Sequence, residues 1–90
     1  MKRILCLVSA MDAGGAETFL MKILRNLDHS EYQMDFCVNE QKPGFYEKEI
    51  EALGGKIYRI PSKSENMKAF KSGLSKIVKD NHYENVMRIT

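Results

Sequence analysis

Met11-Asp12-Ala13-Gly14-Gly15-Ala16-Glu17 is the stretch that decides how this chain reads. It lies between an apolar run, Ile4–Val8, and an amphipathic run, Ala16–Leu27. An apolar strand, a glycine turn and a helix start together make an anion site. The strand carries the chain to a sheet edge, and the glycines let the backbone turn tightly against a ligand. The helix start supplies free N–H groups and the positive end of a dipole. On this reading Gly14, Gly15, Ala16 and Glu17 form a loop that faces phosphate or substrate, and the remaining residues hold it in place.

Composition sets the outer bounds. Ninety residues make one domain at most, with 43% hydrophobic and 29% charged residues, as in ordinary globular chains. A net charge of +2 is too small to point to nucleic acid. No apolar run approaches the roughly 20 residues of a membrane span. Met1-Lys2-Arg3 followed by Ile4–Ala10 has the outline of a signal peptide, but the apolar part is short and leads into Gly-Gly rather than a cleavage site. A cytoplasmic protein is therefore expected. Cys6 and Cys37 fall within expected strands and read as free, buried thiols. Together with His29 and His82 they lack the spacing of a zinc site.

Along the chain, apolar stretches alternate between strand and helix periods. Ile4–Val8 is apolar on both faces, which marks a central parallel strand. Ala16, Phe19, Leu20, Ile23, Leu24 and Leu27 then give one buried helix stripe. Tyr32–Asn39 reads as a second strand, with Tyr32, Met34, Phe36 and Val38 on one side and Cys37 with Asp35 on the other. Phe45–Leu53 reads as a short helix closed by Gly54-Gly55, and Lys56–Ile60 as an edge strand closed by Pro61. Ser62-Lys63-Ser64-Glu65 fits a capping box, with Ser64 and Asn66 as competing caps. The helix that follows, to about Asp80, should bury Met67, Phe70, Leu74, Ile77 and Val78. It should turn Lys68, Lys71, Lys76 and Lys79 to solvent or, alternatively, to an anionic membrane surface. Asn85–Thr90 is the expected fourth strand.

This alternation predicts an α/β fold: a partial, Rossmann-like parallel sheet in the order 3-2-1-4, with helices on both faces as an incomplete three-layer sandwich. The switch point falls between strands one and four, where ligands bind outside the carboxyl ends of the strands. With no helix after the last strand, part of one face should be bare. That is the expectation for a piece of a longer protein, or for a domain that self-associates through its uncovered sheet.

The opening Met-Lys-Arg-Ile-Leu-Cys-Leu-Val, then Gly14-Gly15-Ala16-Glu17 and a Leu-rich helix, resembles the N-terminal domain of glycosyltransferase family 4. Ala52–Pro61 is similar to that family's second-helix ending and third strand, and His82-Tyr83-Glu84-Asn85-Val86 to its fourth-strand start. The resemblance covers the whole chain but only a fraction of a typical member. It implies the N-terminal, acceptor-side domain of a two-domain GT-B enzyme. Such an enzyme transfers a sugar, with retention, from a nucleotide-diphosphate sugar to a glycan or lipid-linked acceptor in polysaccharide or cell-envelope synthesis. It would lie in the cytoplasm or at the inner membrane face, without a metal or other cofactor. Gly14 and Gly15 would then present backbone N–H groups to the donor phosphates or the acceptor, and Glu17 matches the motif's acid. The competing role for Glu17 is that of a first-turn acid serving the helix dipole. The family's His-x-His near the end of strand four is replaced, with Met87 and Ile89 around Arg88. The family's paired glutamates belong to a C-terminal domain, so this chain by itself is expected to be inactive.

Two other classes compete. A dinucleotide-binding module would use Glu40 after strand two, but Ala13–Thr18 is not Gly-x-Gly-x-x-Gly. A flavodoxin-like interaction domain of the receiver type needs an acidic cluster at the end of strand one, where only Asp12 is present.

Overall fold

The computed structural model describes residues 2–11 and 14–88. Four parallel strands, β1 (Lys2–Val8), β2 (Tyr32–Val38), β3 (Ile57–Arg59) and β4 (Asn85–Arg88), form one sheet in the order β3-β2-β1-β4. Three helices connect them: α1 (Gly15–Asn26), α2 (Glu47–Ala52) and α3 (Met67–Asn81). The expected α/β architecture and strand order are those observed. Asp12, Ala13, Ile89 and Thr90, which belong to the expected loop and fourth strand, lie outside the described residues.

The register assigns each side chain to a face. Cys6 and Val8 join Met34, Phe36 and Val38 under α1 and α2. Leu5 and Leu7 join Cys37 and Tyr58 under α3. Strand β1 thus serves both layers, as its unbroken apolar run requires. Helix α2 ends in a Schellman motif: Gly54 takes φ +90°, its N–H donates to Glu51 O, and the Gly55 N–H donates to Ile50 O at 2.9 Å. Helix α3 starts on Asn66, whose side chain accepts from the Ala69 N–H at 3.0 Å. Of the three competing caps, this is the one the helix uses. Ser62 and Glu65 close a separate turn just before it.

Two details of helix burial differ from the sequence reading. Helix α1 buries Leu20, Met21 and Leu24, whereas Ala16 is exposed, Phe19 is 54% exposed and Ile23 37%. The helix is rolled toward α2, to which it is tied by Arg25–Glu49 contacts of 2.6 and 2.8 Å and by Thr18 Oγ1···Tyr46 Oη at 3.0 Å. That roll brings Met21 down and lifts the opposite flank toward the uncovered β4 side. Met67 is exposed rather than buried, because it is the first residue of α3. Phe70, Leu74, Ile77 and Val78 do pack on the second core cluster.

The polar centre of the fold is Asp35, fully buried in β2. Tyr83 donates to Oδ2, Lys56 N–H donates to Oδ1 at 2.8 Å, and Gln33 Nε2 donates to both oxygens at 3.0 and 3.1 Å. Tyr83 has one proton and the carboxylate takes it, so the Tyr58 hydroxyl 3.1 Å away donates to Tyr83 in turn. Arg3 Nη2 stands 3.6 Å from Oδ2, an ion pair too long for a direct hydrogen bond. The Arg3 guanidinium also lies over the Tyr83 ring, and Nη1 donates to Asn81 O at 2.6 Å. Burial, followed by donation to Asp35, holds the Tyr83 hydroxyl protonated well above the usual phenol range.

Removing one partner of such a cluster leaves buried polar groups unmatched. Asp35→Ala should therefore cost about 3 kcal/mol, a large part of the roughly 5–13 kcal/mol available to a domain of this size. Tyr83→Phe should cost about 1–2 kcal/mol. Urea unfolding followed by far-UV circular dichroism checks both values.

Candidate functional site

All four strands are parallel, so the loops after β1, β2 and β3 emerge at one edge of the sheet, and Arg88 ends β4 at the same edge. Asn39 ties this edge together. Its N–H donates to Ser9 O at 3.0 Å, and its side-chain amide donates to Ile60 O at 3.2 Å. The segment after β2 holds the β1–α1 loop. Tyr46 N–H donates to Met11 O at 2.9 Å, and a Cβ on Gly44 would stand 2.5 Å from that same oxygen, so only glycine fits this approach. Glu47 braces the turn by accepting from Gly44 N–H at 2.6 Å and pairing with Arg59.

Gly14 is the N-cap of α1 and Gly15 its first residue; the Thr18 N–H donates to Gly14 O at 2.9 Å. Among the described residues, nothing stands within 4 Å of a Cβ built on Gly15. A Cβ on Gly14 would meet Glu17 Oε2 at 2.1 Å. Glu17 therefore folds back over Gly14, with its carboxylate on the positive end of the helix. This is the geometry of a first-turn acid serving the dipole. Ala16 is exposed, on the flank of α1 away from α2. The four residues thus lie together at the helix start, with Met11 and Met21 buried in the core below.

A cavity of about 260 Å³ opens at the same edge, on the α3 side of the sheet. Leu7, Cys37 and Phe70 form apolar walls, and Ser9, Asn39, Ser62, Ser64, Lys63 and Arg88 supply its polar rim. None of Gly14–Glu17 lines it, and Arg88 stood in the sequence only as the residue between Met87 and Ile89, where the resemblance has His-x-His. The spacing of Ser62-Lys63-Ser64 offered only a capping signal, and pairing with β1 is what aligns Arg88 with Leu7. A larger groove of about 440 Å³ runs beside α2 and the edge strand β3, but Glu47 and Glu51 line it and its Arg59 is already paired with Glu47.

The thiols carry no chemistry here. Burial pushes Cys6 up to about 12, with the Asp35 charge adding to the shift, and burial alone pushes Cys37 to about 11. His29 and His82 are exposed, and His82 takes a left-handed conformation (φ 55°) at the end of α3. Among the described residues no three His, Cys, Asp or Glu side chains gather as a metal-ligand set. No described helix is long and apolar enough to cross a membrane.

The Gly14–Glu17 contact is open to a double-mutant cycle. Gly14→Ala drives the carboxylate off the helix end, and Glu17→Gln removes its charge. The two should be non-additive, with a coupling of about 0.5 kcal/mol in urea unfolding.

No protein-family model and no solved structure matches the chain significantly. One curated protein is clearly similar: that named "Putative glycosyltransferase EpsF", from Bacillus subtilis (strain 168), with 37% identity over 81 residues. The match takes in 89% of this chain and 21% of that protein, so the chain spans about a fifth of the relative's length. The aligned part includes most of the sheet and its connections, and the similarity supports a relationship to glycosyltransferases rather than to dinucleotide-binding or receiver-type domains.

Proposed function

We propose that this chain is the N-terminal, acceptor-side part of a retaining GT-B glycosyltransferase of the family 4 type. The full protein would transfer a sugar from a nucleotide-diphosphate sugar to a glycan or lipid-linked acceptor in polysaccharide or cell-envelope assembly. The observation that carries the reading is the similarity over 81 residues to a protein named as a glycosyltransferase. The sheet order supports it, since a β3-β2-β1-β4 sheet has its switch point between β1 and β4, beside the loop that leads to Gly14.

In this reading Gly14 and Gly15 present backbone N–H groups to the diphosphate leaving group or the acceptor. Charge builds on the leaving diphosphate as the glycosidic bond breaks, and preorganised N–H donors are most useful there. Glu17 covers the helix end until a ligand arrives, so an incoming anion must displace its carboxylate or use N–H groups beside it. The paired acids of the transfer step would come from a second domain. The exposed Phe19 and Ile23 flank of α1 and Met87 on β4 would be covered by further chain or by self-association.

The product of the complete reading frame should release nucleoside diphosphate from at least one nucleotide sugar in the presence of a glycan or polyprenyl-phosphate acceptor. The 90-residue chain should release none. Gly15→Val in the full-length product should lower kcat/KM at least tenfold while leaving the melting temperature nearly unchanged, because the added side chain meets none of the described residues. Sugar transfer by the 90-residue chain alone, or tight binding of NAD by the full-length product without any transfer, would overturn the reading.

A further inference from the structure

We infer that the cavity on the α3 side of the carboxyl edge is a binding site for a phosphate group, with Arg88 and Lys63 as its charged ligands. Arg88 is aligned with Leu7 in the β1–β4 ladder, which turns its side chain to the α3 face and into this cavity. It has no ion-pair partner among the described residues; the pairs there are Arg3–Asp35, Arg25–Glu49 and Arg59–Glu47. Lys63 reaches the same cavity from the β3–α3 loop, its ammonium 5.4 Å from the centre of the Phe70 ring.

Among the described residues, the lining contains two cations and no acid, although the chain has nearly as many acids as bases. The buried acid on this face, Asp35, is two residues nearer the amino edge and is taken up by Tyr83, Gln33 and Lys56 N–H. Glu65 is outside the lining and is bonded to Ser62. The described lining is therefore positive at the strand ends, where parallel sheets bind ligands.

Size narrows the ligand. About 260 Å³ falls below the roughly 300–1,000 Å³ of pockets that enclose drug-sized ligands. The space suits a phosphate or diphosphate group, not a whole nucleotide sugar. An Arg fork and a Lys point charge are the usual pair for such a group. Leu7 and Phe70 leave an apolar wall for whatever the phosphate is esterified to. Two sources supply this chemistry: the diphosphate of a nucleotide-sugar donor, or the phosphate of a phosphorylated acceptor. Naming those sources rests on the transferase reading, while the anion site does not. Pyrophosphate binding without any sugar transfer by the full-length product would therefore separate the two.

The test is a ¹H–¹⁵N NMR titration of the 90-residue chain with sodium pyrophosphate, uridine diphosphate and octyl phosphate. Saturable shifts should appear at Ser9, Asn39, Ser62–Ser64 and Arg88. Arg88→Gln and Lys63→Gln should each weaken pyrophosphate binding about tenfold, and Lys76→Gln on the outer face of α3 should not change it. Tighter binding of uridine diphosphate than of octyl phosphate assigns the site to the donor; the reverse order assigns it to the acceptor. Shifts that do not saturate, or an equal loss in Lys76→Gln and Arg88→Gln, would overturn the proposal. The dispersion of the same spectra shows whether each variant is folded.

Discussion

A carboxylate buried in the middle of a small sheet constrains this fold more than any other group. Taking Asp35 out of water is costly unless every lone pair finds a donor. Gln33 donates from within β2 itself, and the other donors come from distant parts of the chain: Lys56 N–H at the entry to β3 and Tyr83 at the entry to β4, with Arg3 on β1 as the ion-pair partner. Lys56, Tyr83 and Arg3 can each reach Asp35 only when their strands are in register. The buried acid thus ties the entries to β3 and β4 to the middle of β2, and Arg3 extends the cluster to the end of α3 through Asn81 O.

With the amino edge held in this way, the carboxyl edge is left to its loops. There the contacts are mostly between backbone groups, Asn39 N–H on Ser9 O and Tyr46 N–H on Met11 O, with the Asn39 side chain reaching Ile60 O. Such contacts fix the position of the loops without filling the space above the strands. The result is a helix start at Gly15 on one side of the sheet and a basic cavity at Arg88 on the other. Both features follow from parallel topology, which sends every crossover to the same edge.

The layer structure could be read from the sequence because it depends on local periodicity. The two-sided apolar run of β1, the 3.6-residue stripes and the Gly54-Gly55 ending each carry their own signal. The details that escaped depend on contacts across long separations. The sequence puts Asp35 on the Cys37 face of its strand but not in a polar cluster, because its partner Tyr83 lies 48 residues away. The roll of α1 toward Met21 is set by Glu49 and Tyr46, which its own stripe does not reveal. The need for glycine at position 44 arises from Met11 O, 33 residues earlier, and not from the Pro-Gly turn signal. At the site, Gly14–Glu17 stood out through composition, whereas Lys63 became a candidate only when folding placed it beside Arg88.

The central claim is that ligands of this protein meet the carboxyl edge of the sheet, at the α1 start and the adjacent cavity. Photoaffinity labelling of the full-length product with an azido nucleotide-sugar analogue, followed by tryptic peptide mapping, tests it most directly. The account predicts label within residues 4–22, which carry the β1–α1 loop, or, by sequencing of the labelled peptides, at Lys63, Ser64 or Arg88 on the cavity rim. Label confined to the segments immediately around Tyr32, Lys56 and Tyr83, with residues 4–22, Lys63, Ser64 and Arg88 unmodified, would contradict it.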